Sequence, residues 1–304
     1  MTYFLRTKII IFFSLFYLFY TSYALSKNTD LIYSEKNISN YFSGIIAINQ
    51  NNTSQAFKFF KKIQPPQILH PNFNVQFLRT LVLLEKFDKS FAYVKNLSVK
   101  EANFAEANLL LGLNYYISND YSNAEKYFKK LDQSFNNNYY LEGYFGNFLT
   151  ALVKISQNDK IGSLKNLELI PDALIDLKKI QETFIHCHFD SSKVVSLFTD
   201  LINDEDKVFS RYNFFLINYL LSQNKNEEAK KIIKNSRKKY NSNLLLKQTE
   251  IFMLNDNNEK IRNFFDCKNP TNVISEIFYV MANLYSTQKN YQLSNFYLKI
   301  SLWI

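Results

Sequence analysis

Between Ala105 and Asn138, apolar and small side chains return every three or four positions in two successive stretches. Leu109, Gly112, Leu113 and Tyr116 make one stripe; Tyr121, Ala124, Tyr127, Phe128 and Leu131 make a second. That spacing puts each stripe on one face of a helix. Asn119-Asp120 between them are turn formers, since their side chains bond nearby backbone and tolerate left-handed φ. The stretch predicts a helix, a short turn and an antiparallel helix. Such a hairpin cannot bury both its faces alone and needs neighbours stacked on it.

The pattern recurs in frames of 34 residues. In a frame opening at Asn37, Gly44 falls at position 8, Ala56 at 20, Phe60 at 24 and Ile63 at 27. The next, from Pro71, carries Phe87 at 17, Ser90 at 20, Val94 at 24 and Leu97 at 27; the third is the Ala105 unit, with Tyr115 at 11. Small residues at 8 and 20 let two helices approach, and large ones at 11 and 24 fill the space beside them. These positions resemble the tetratricopeptide repeat, with Asn108, Leu131 and Asn136 departing from its pattern at 4, 27 and 32. The resemblance implies an all-α fold, a right-handed superhelical solenoid of antiparallel helix pairs with about seven to eight repeats. Predicted repeats lie near 37–70, 71–104, 105–138, 144–174, 175–209, 210–243, 244–274 (degenerate) and 275–304, together one solenoid over 37–304. Ala229 sits at 20 of the sixth; Ala282 at 8 and Tyr285 at 11 of the last. Asn136 to Gly143 holds a small insertion. The last helix stops at Trp303-Ile304 before anything covers it, so the chain reads as truncated, with the alternative that this end docks on a partner or a second copy.

Five Gly and five Pro are too few for a β-rich fold with many tight turns. The abundance of Asn, Lys, Ile, Phe and Tyr also matches an AT-rich genome, so part of it need carry no structural message. Residues 1–24 have the form of a secretory signal peptide: Arg6 and Lys8, the apolar run Ile9 to Tyr20, then Ser22-Tyr23-Ala24 as a cleavage site. Residues 25–36 read as a linker. The leader predicts export to the periplasm; an uncleaved inner-membrane anchor is the alternative. Leader, repeats and worn centre together resemble exported tetratricopeptide proteins of alphaproteobacteria.

The formal charge of +9 would suit nucleic acid, but export and the lack of a basic motif interleaved with aromatics argue against it. The charge suits peripheral contact with anionic membrane or envelope material. Lys230, Lys231, Lys234, Arg237, Lys238 and Lys239 form a basic run on one helix, read as a solvated face or as that contact. Cys187 and Cys267 fall in different repeats, and stacked repeats touch only their neighbours, so two free buried thiols are expected.

Chemistry is sparse. His186-Cys187-His188 cannot turn both imidazoles onto one ion from a helix, and zinc wants about four ligands. Asp200, Asp204, Glu205 and Asp206 lack the ligand order and glycine of a calcium loop. No phosphate loop, nucleophile elbow or HExxH occurs. No catalytic, metal or cofactor site is predicted, and the chain reads as non-enzymatic. What the resemblance implies instead is a concave groove along the first helices. Its lining would be Tyr41, Ile45 and Ile48; Val75, Arg79 and Val82; Leu109, Leu113 and Tyr116; Phe214, Asn218 and Leu221; and Tyr279 and Asn283. That lining suits a peptide with apolar anchors. The expected function is a protein–protein scaffold or adaptor of the bacterial envelope. The alternatives are an accessory part of an envelope enzyme or assembly factor, and a self-associating structural protein.

Overall fold

The computed structural model describes residues 34–64, 71–98, 101–134, 142–203 and 210–304; the leader and most of the linker lie outside them. Every regular element among the described residues is helical. Sixteen α-helices follow in pairs: α1 (Glu35–Asn49) with α2 (Thr53–Phe60), α3 (Pro71–Leu83) with α4 (Phe87–Lys95), and α5 (Ala105–Ile117) with α6 (Tyr121–Ser134). Then come α7 (Phe145–Ser156) with α8 (Lys160–Glu168), α9 (Ile175–His188) with α10 (Val194–Asn203), and α11 (Ser210–Ser222) with α12 (Asn226–Lys239). Finally come α13 (Leu244–Leu254) with α14 (Asn258–Phe264), and α15 (Pro270–Thr287) with α16 (Tyr291–Trp303). The first helix starts at Glu35, inside the predicted linker, with Ser34 as its N-cap. The last pair opens at Pro270, five residues before the predicted frame.

The repeat is written in the backbone. One non-glycine residue per pair has φ near +55°: Asn51, Glu85, Asn119, Asn158, Asp190, Asn224, Asp256 and Lys289. The steps between them are 34, 34, 39, 32, 34, 32 and 33 residues. The long step exceeds 34 by 5 and contains the predicted insertion, whose residues 136–141 lie outside those described. In seven of these turns the next residue's N–H bonds the carbonyl five positions back, as Asp120 does to Tyr115 at 2.9 Å and Asn290 to Tyr285 at 2.9 Å. This is the Schellman closure, made here without glycine. That next residue then begins the second helix: Asn52, Asp120, Asp159 and Asn290 each accept an amide of its first turn. Asparagine and aspartate tolerate the left-handed conformation and also cap. Asn51, Asn52, Asn119, Asn158, Asn224 and Asn290 therefore do have structural work.

In two pairs, α1 with α2 and α5 with α6, the helices are locked by the same contact. A Cβ on Gly44 would run into the Phe60 ring, and a Cβ on Gly112 into the Phe128 ring. These are positions 8 and 24 of two frames, 68 residues apart. Ala56, Ala124 and Ala229 at position 20 are fully buried, and at that position Ser163 donates to the Ala151 carbonyl at 2.8 Å.

The chain divides into two compact units, one ending at Leu84 and one from Glu85 to Ile304; the sequence had suggested a single solenoid. In the first unit, Tyr41, Ile45 and Phe77 pack around Phe60, Phe73 and Ile63. In the second, consecutive helices pack in order, but the last pair also folds back. Phe145 of α7 meets Phe278 of α15 and Tyr297 of α16 edge-on, at 5.6 and 5.9 Å. Trp303 stacks on Phe87 of α4 at 4.5 Å and lies against Phe91, and Lys299 pairs with Glu85. The last helix thus packs one side of its end on α4 through Trp303, contrary to the expectation that nothing covers it, while Leu302 stays exposed.

Candidate partner-binding groove

Cys187 and Cys267 form a disulfide with Cα atoms 5.8 Å apart, both residues buried. The expected free thiols do not exist. The premise that a repeat touches only its neighbours fails because the second unit turns tightly enough for α9 to meet the segment entering α15. Around that junction His188 Nδ1 lies 3.1 Å from the Cys267 carbonyl oxygen, and Lys268 pairs with Asp190 at 3.2 Å. Asp190 also accepts from the Tyr219 hydroxyl at 3.0 Å.

From there α15 runs against the first helices α7, α9 and α11. Leu152, Ile180, Phe184, Val273 and Ile277 surround the contact. Arg211 of α11 donates to both oxygens of Glu276 on α15, at 2.8 and 2.7 Å. Its guanidinium lies over the Tyr279 ring at 4.2 Å and near Phe215 at 5.2 Å. Burial pushes the Glu276 carboxyl above its ordinary range, against the pull of Arg211. Burial acts to lower the Arg211 pKa, but the hydrogen bonds to Glu276, the negative charge of that carboxylate and the neighbouring Tyr279 and Tyr212 together outweigh it, and the net shift is upward. The bidentate geometry holds the pair charged.

The predicted groove residues therefore meet different fates. Leu109, Leu113, Tyr116, Phe214, Asn218 and Leu221 are buried in the second unit, and Ile48 and Val82 in the first. They are core, not an open lining. Tyr116 bonds Ser156 through its hydroxyl at 2.8 Å, and Asn218 donates to the Ile261 carbonyl at 2.7 Å. Tyr279 is half-buried beneath Arg211, and Asn283 is exposed. Tyr41, Ile45, Val75 and Arg79 are half-buried. Of the packing residues, Gly44, Phe60, Gly112, Phe128, Ala282 and Tyr285 are buried, while Tyr115 is half-buried and stacks on Tyr127 at 5.5 Å.

An apolar surface the sequence reading passed over lies on α1. Ile38, Phe42 and Ile46 are 43, 59 and 56 % exposed, at i, i+4 and i+8. The signal was present: α1 carries apolar residues at 38, 41, 42, 45, 46 and 48, too wide an arc for one buried face.

Asp132 of α6 reaches the start of α7. Its Oδ1 accepts from the Gly146 amide at 2.5 Å, and a Cβ at Gly146 would strike the Phe128 carbonyl and the Asp132 carboxylate. Burial pushes the Asp132 carboxyl up to about 7, opposed by the Gly146 and Asn147 amides. This close approach is the physical reason for a glycine at 146.

Among the described residues, no helix is long and apolar enough to cross a membrane, and no group of three His, Cys, Asp or Glu is placed to hold a metal ion. No protein-family model matches the chain, and no curated protein is similar to it.

Proposed function

We propose that the chain is a non-enzymatic scaffold of the bacterial cell envelope, built of tetratricopeptide-like repeats, that holds other proteins through segments with an apolar face. The leader at residues 1–24 directs it to the periplasm in this reading. The Cys187–Cys267 bond supports that address, because disulfides persist in oxidising compartments. Within residues 85–304 the repeats are read as turns of a right-handed solenoid whose groove is taken up by α15 and α16. Partner capture therefore falls to α1.

The observation that carries this reading is the exposed stripe Ile38, Phe42 and Ile46. Three large apolar side chains in line are more than scattered surface residues need. The stripe runs about 12 Å along the helix. A ridge of that form fits an amphipathic helix presenting anchors at i, i+3 or i+4 and i+7. The test places a photo-crosslinking residue at position 42 of the full chain in intact cells and sequences the adducts. Adducts should map to an amphipathic segment and disappear with Ile38→Asp and Ile46→Asp. Adducts that survive both aspartates would refute the assignment.

A further inference from the structure

α13 is apolar on two faces, and only one is packed. Leu246, Thr249 and Met253 are buried, while Leu244, Ile251 and Leu254 are 78, 40 and 78 % exposed. The exposed set shares its arc with Lys247, at i, i+3, i+7 and i+10. The neighbouring helix α12 supplies charge beside it. Arg237 of α12 bonds Glu250 of α13 at 3.0 Å and so fixes which flanks meet. Lys230, four residues into α12, feels the field of Asp256 just past the end of α13, although its nearest partner is Glu227. Lys231, Lys234 and Lys238 are exposed along α12 and form no ion pair among the described residues.

We propose that this α12–α13 face docks on an anionic lipid leaflet, leucine and isoleucine side chains entering between headgroups while the lysines meet their phosphates. A soluble acidic polymer would be read by the lysines alone, and exposed leucines would add nothing to that contact. A protein groove would want a continuous apolar stripe, whereas Lys247 interrupts this one. Alternating apolar and basic residues are the composition of an interfacial surface, which gains from both burial and charge. The chain's net charge of +9 is of the matching sign.

The experiment uses the full chain with vesicles of phosphatidylcholine alone or mixed with phosphatidylglycerol. The side chains replaced are solvent-facing, and circular dichroism checks the fold. Leu244→Ser, Ile251→Ser and Leu254→Ser together, and separately Lys231→Gln, Lys234→Gln and Lys238→Gln together, should each weaken co-sedimentation with the anionic vesicles by about tenfold or more. Added salt should release the wild type. Binding equal in the wild type and both variants would place attachment elsewhere, such as the leader, and overturn the proposal. Binding lost only with the lysines would also overturn it, in favour of a soluble polyanion. As a positional readout, Leu254→Trp in a Trp303→Phe background should shift its emission to the blue and be quenched by brominated phosphatidylglycerol. An unquenched indole at position 254 would refute insertion. None of these outcomes bears on α1.

Discussion

The first unit and the second contain the same lock and use its neighbourhood differently. In both, a glycine of the first helix lies under a phenylalanine of the second, Gly44 under Phe60 and Gly112 under Phe128. In both, a left-handed residue closes the turn. Yet the first helix of the leading pair keeps an apolar stripe in solvent, whereas Leu109 and Leu113 of α5 are fully buried and α7, α9 and α11 are met by α15. The hairpin is a local solution, set by residues three to seventeen positions apart. What becomes of its outer face is decided by elements much farther along the chain, as α11 and α15 meet through Arg211 and Glu276 at a separation of 65 positions. Two copies of one hairpin can thus become a docking ridge and a filled core.

The sharpest way to break the filled core is to strand its ion pair. Arg211→Ala leaves the Glu276 carboxylate buried among apolar side chains, which should cost about 3–5 kcal/mol, read as a fall in the thermal or urea midpoint. Arg211→Met with Glu276→Leu removes both charges and should recover most of that loss. If the double variant is as unstable as the single one, the pair is not what seats α15.

Next is the disulfide. A non-reducing peptide map should show Cys187 linked to Cys267, and Cys187→Ser with Cys267→Ser should cost about 2–4 kcal/mol. The loss should appear in the second unit, as faster amide exchange in α15 and α16, with the exchange of α1 and α2 unchanged. Loss of protection in α1 and α2 as well would erase the distinction between the units.

The glycine locks give a smaller and symmetrical effect. Gly44→Leu and Gly112→Leu should each overpack their hairpin by about 1–3 kcal/mol, measured as a shift in urea midpoint. Each should loosen its own unit. A silent substitution at either position would mean that the two hairpins do not share a register.

These locks were legible because they are made inside one frame. Gly44, Ala56, Phe60, Gly112, Ala124 and Phe128 could be placed from spacing alone. The turn at Asn119 could be placed because its chemistry is local too. The groove was not legible. Leu109, Phe214 and Leu221 follow the repeat pattern whether solvent, a partner or the chain's own last pair covers them. The disulfide was misread for the same reason, since nothing near Cys187 or Cys267 in sequence states how tightly the repeats turn. The Arg211–Glu276 pair was not legible either, because its members stand 65 positions apart.

Asp132 provides the finest test, because its effect turns on and off with pH. Its carboxyl is largely removed from water between α6 and α7, which raises its pKa from 3.8 to about 7 despite the Gly146 and Asn147 amides. A group whose pKa is higher in the folded chain favours folding most when protonated. Its contribution is complete below about pH 4, falls as the pH rises from there to 7, and is gone above 7. The second unit should therefore lose roughly 1–3 kcal/mol between pH 5 and 8, with the carboxyl's remaining contact with water reducing the full shift to that range. Asp132→Asn keeps the shape, cannot ionise, and should flatten that part of the stability profile. Asp132 lies in the second unit, so the exchange of α1 and α2 in the first should not change with Asp132→Asn at any pH. If the wild type and Asp132→Asn decline in parallel from pH 5 to 8, the amides hold the carboxylate charged in the fold. Asp132 would then be a plain cap on α7.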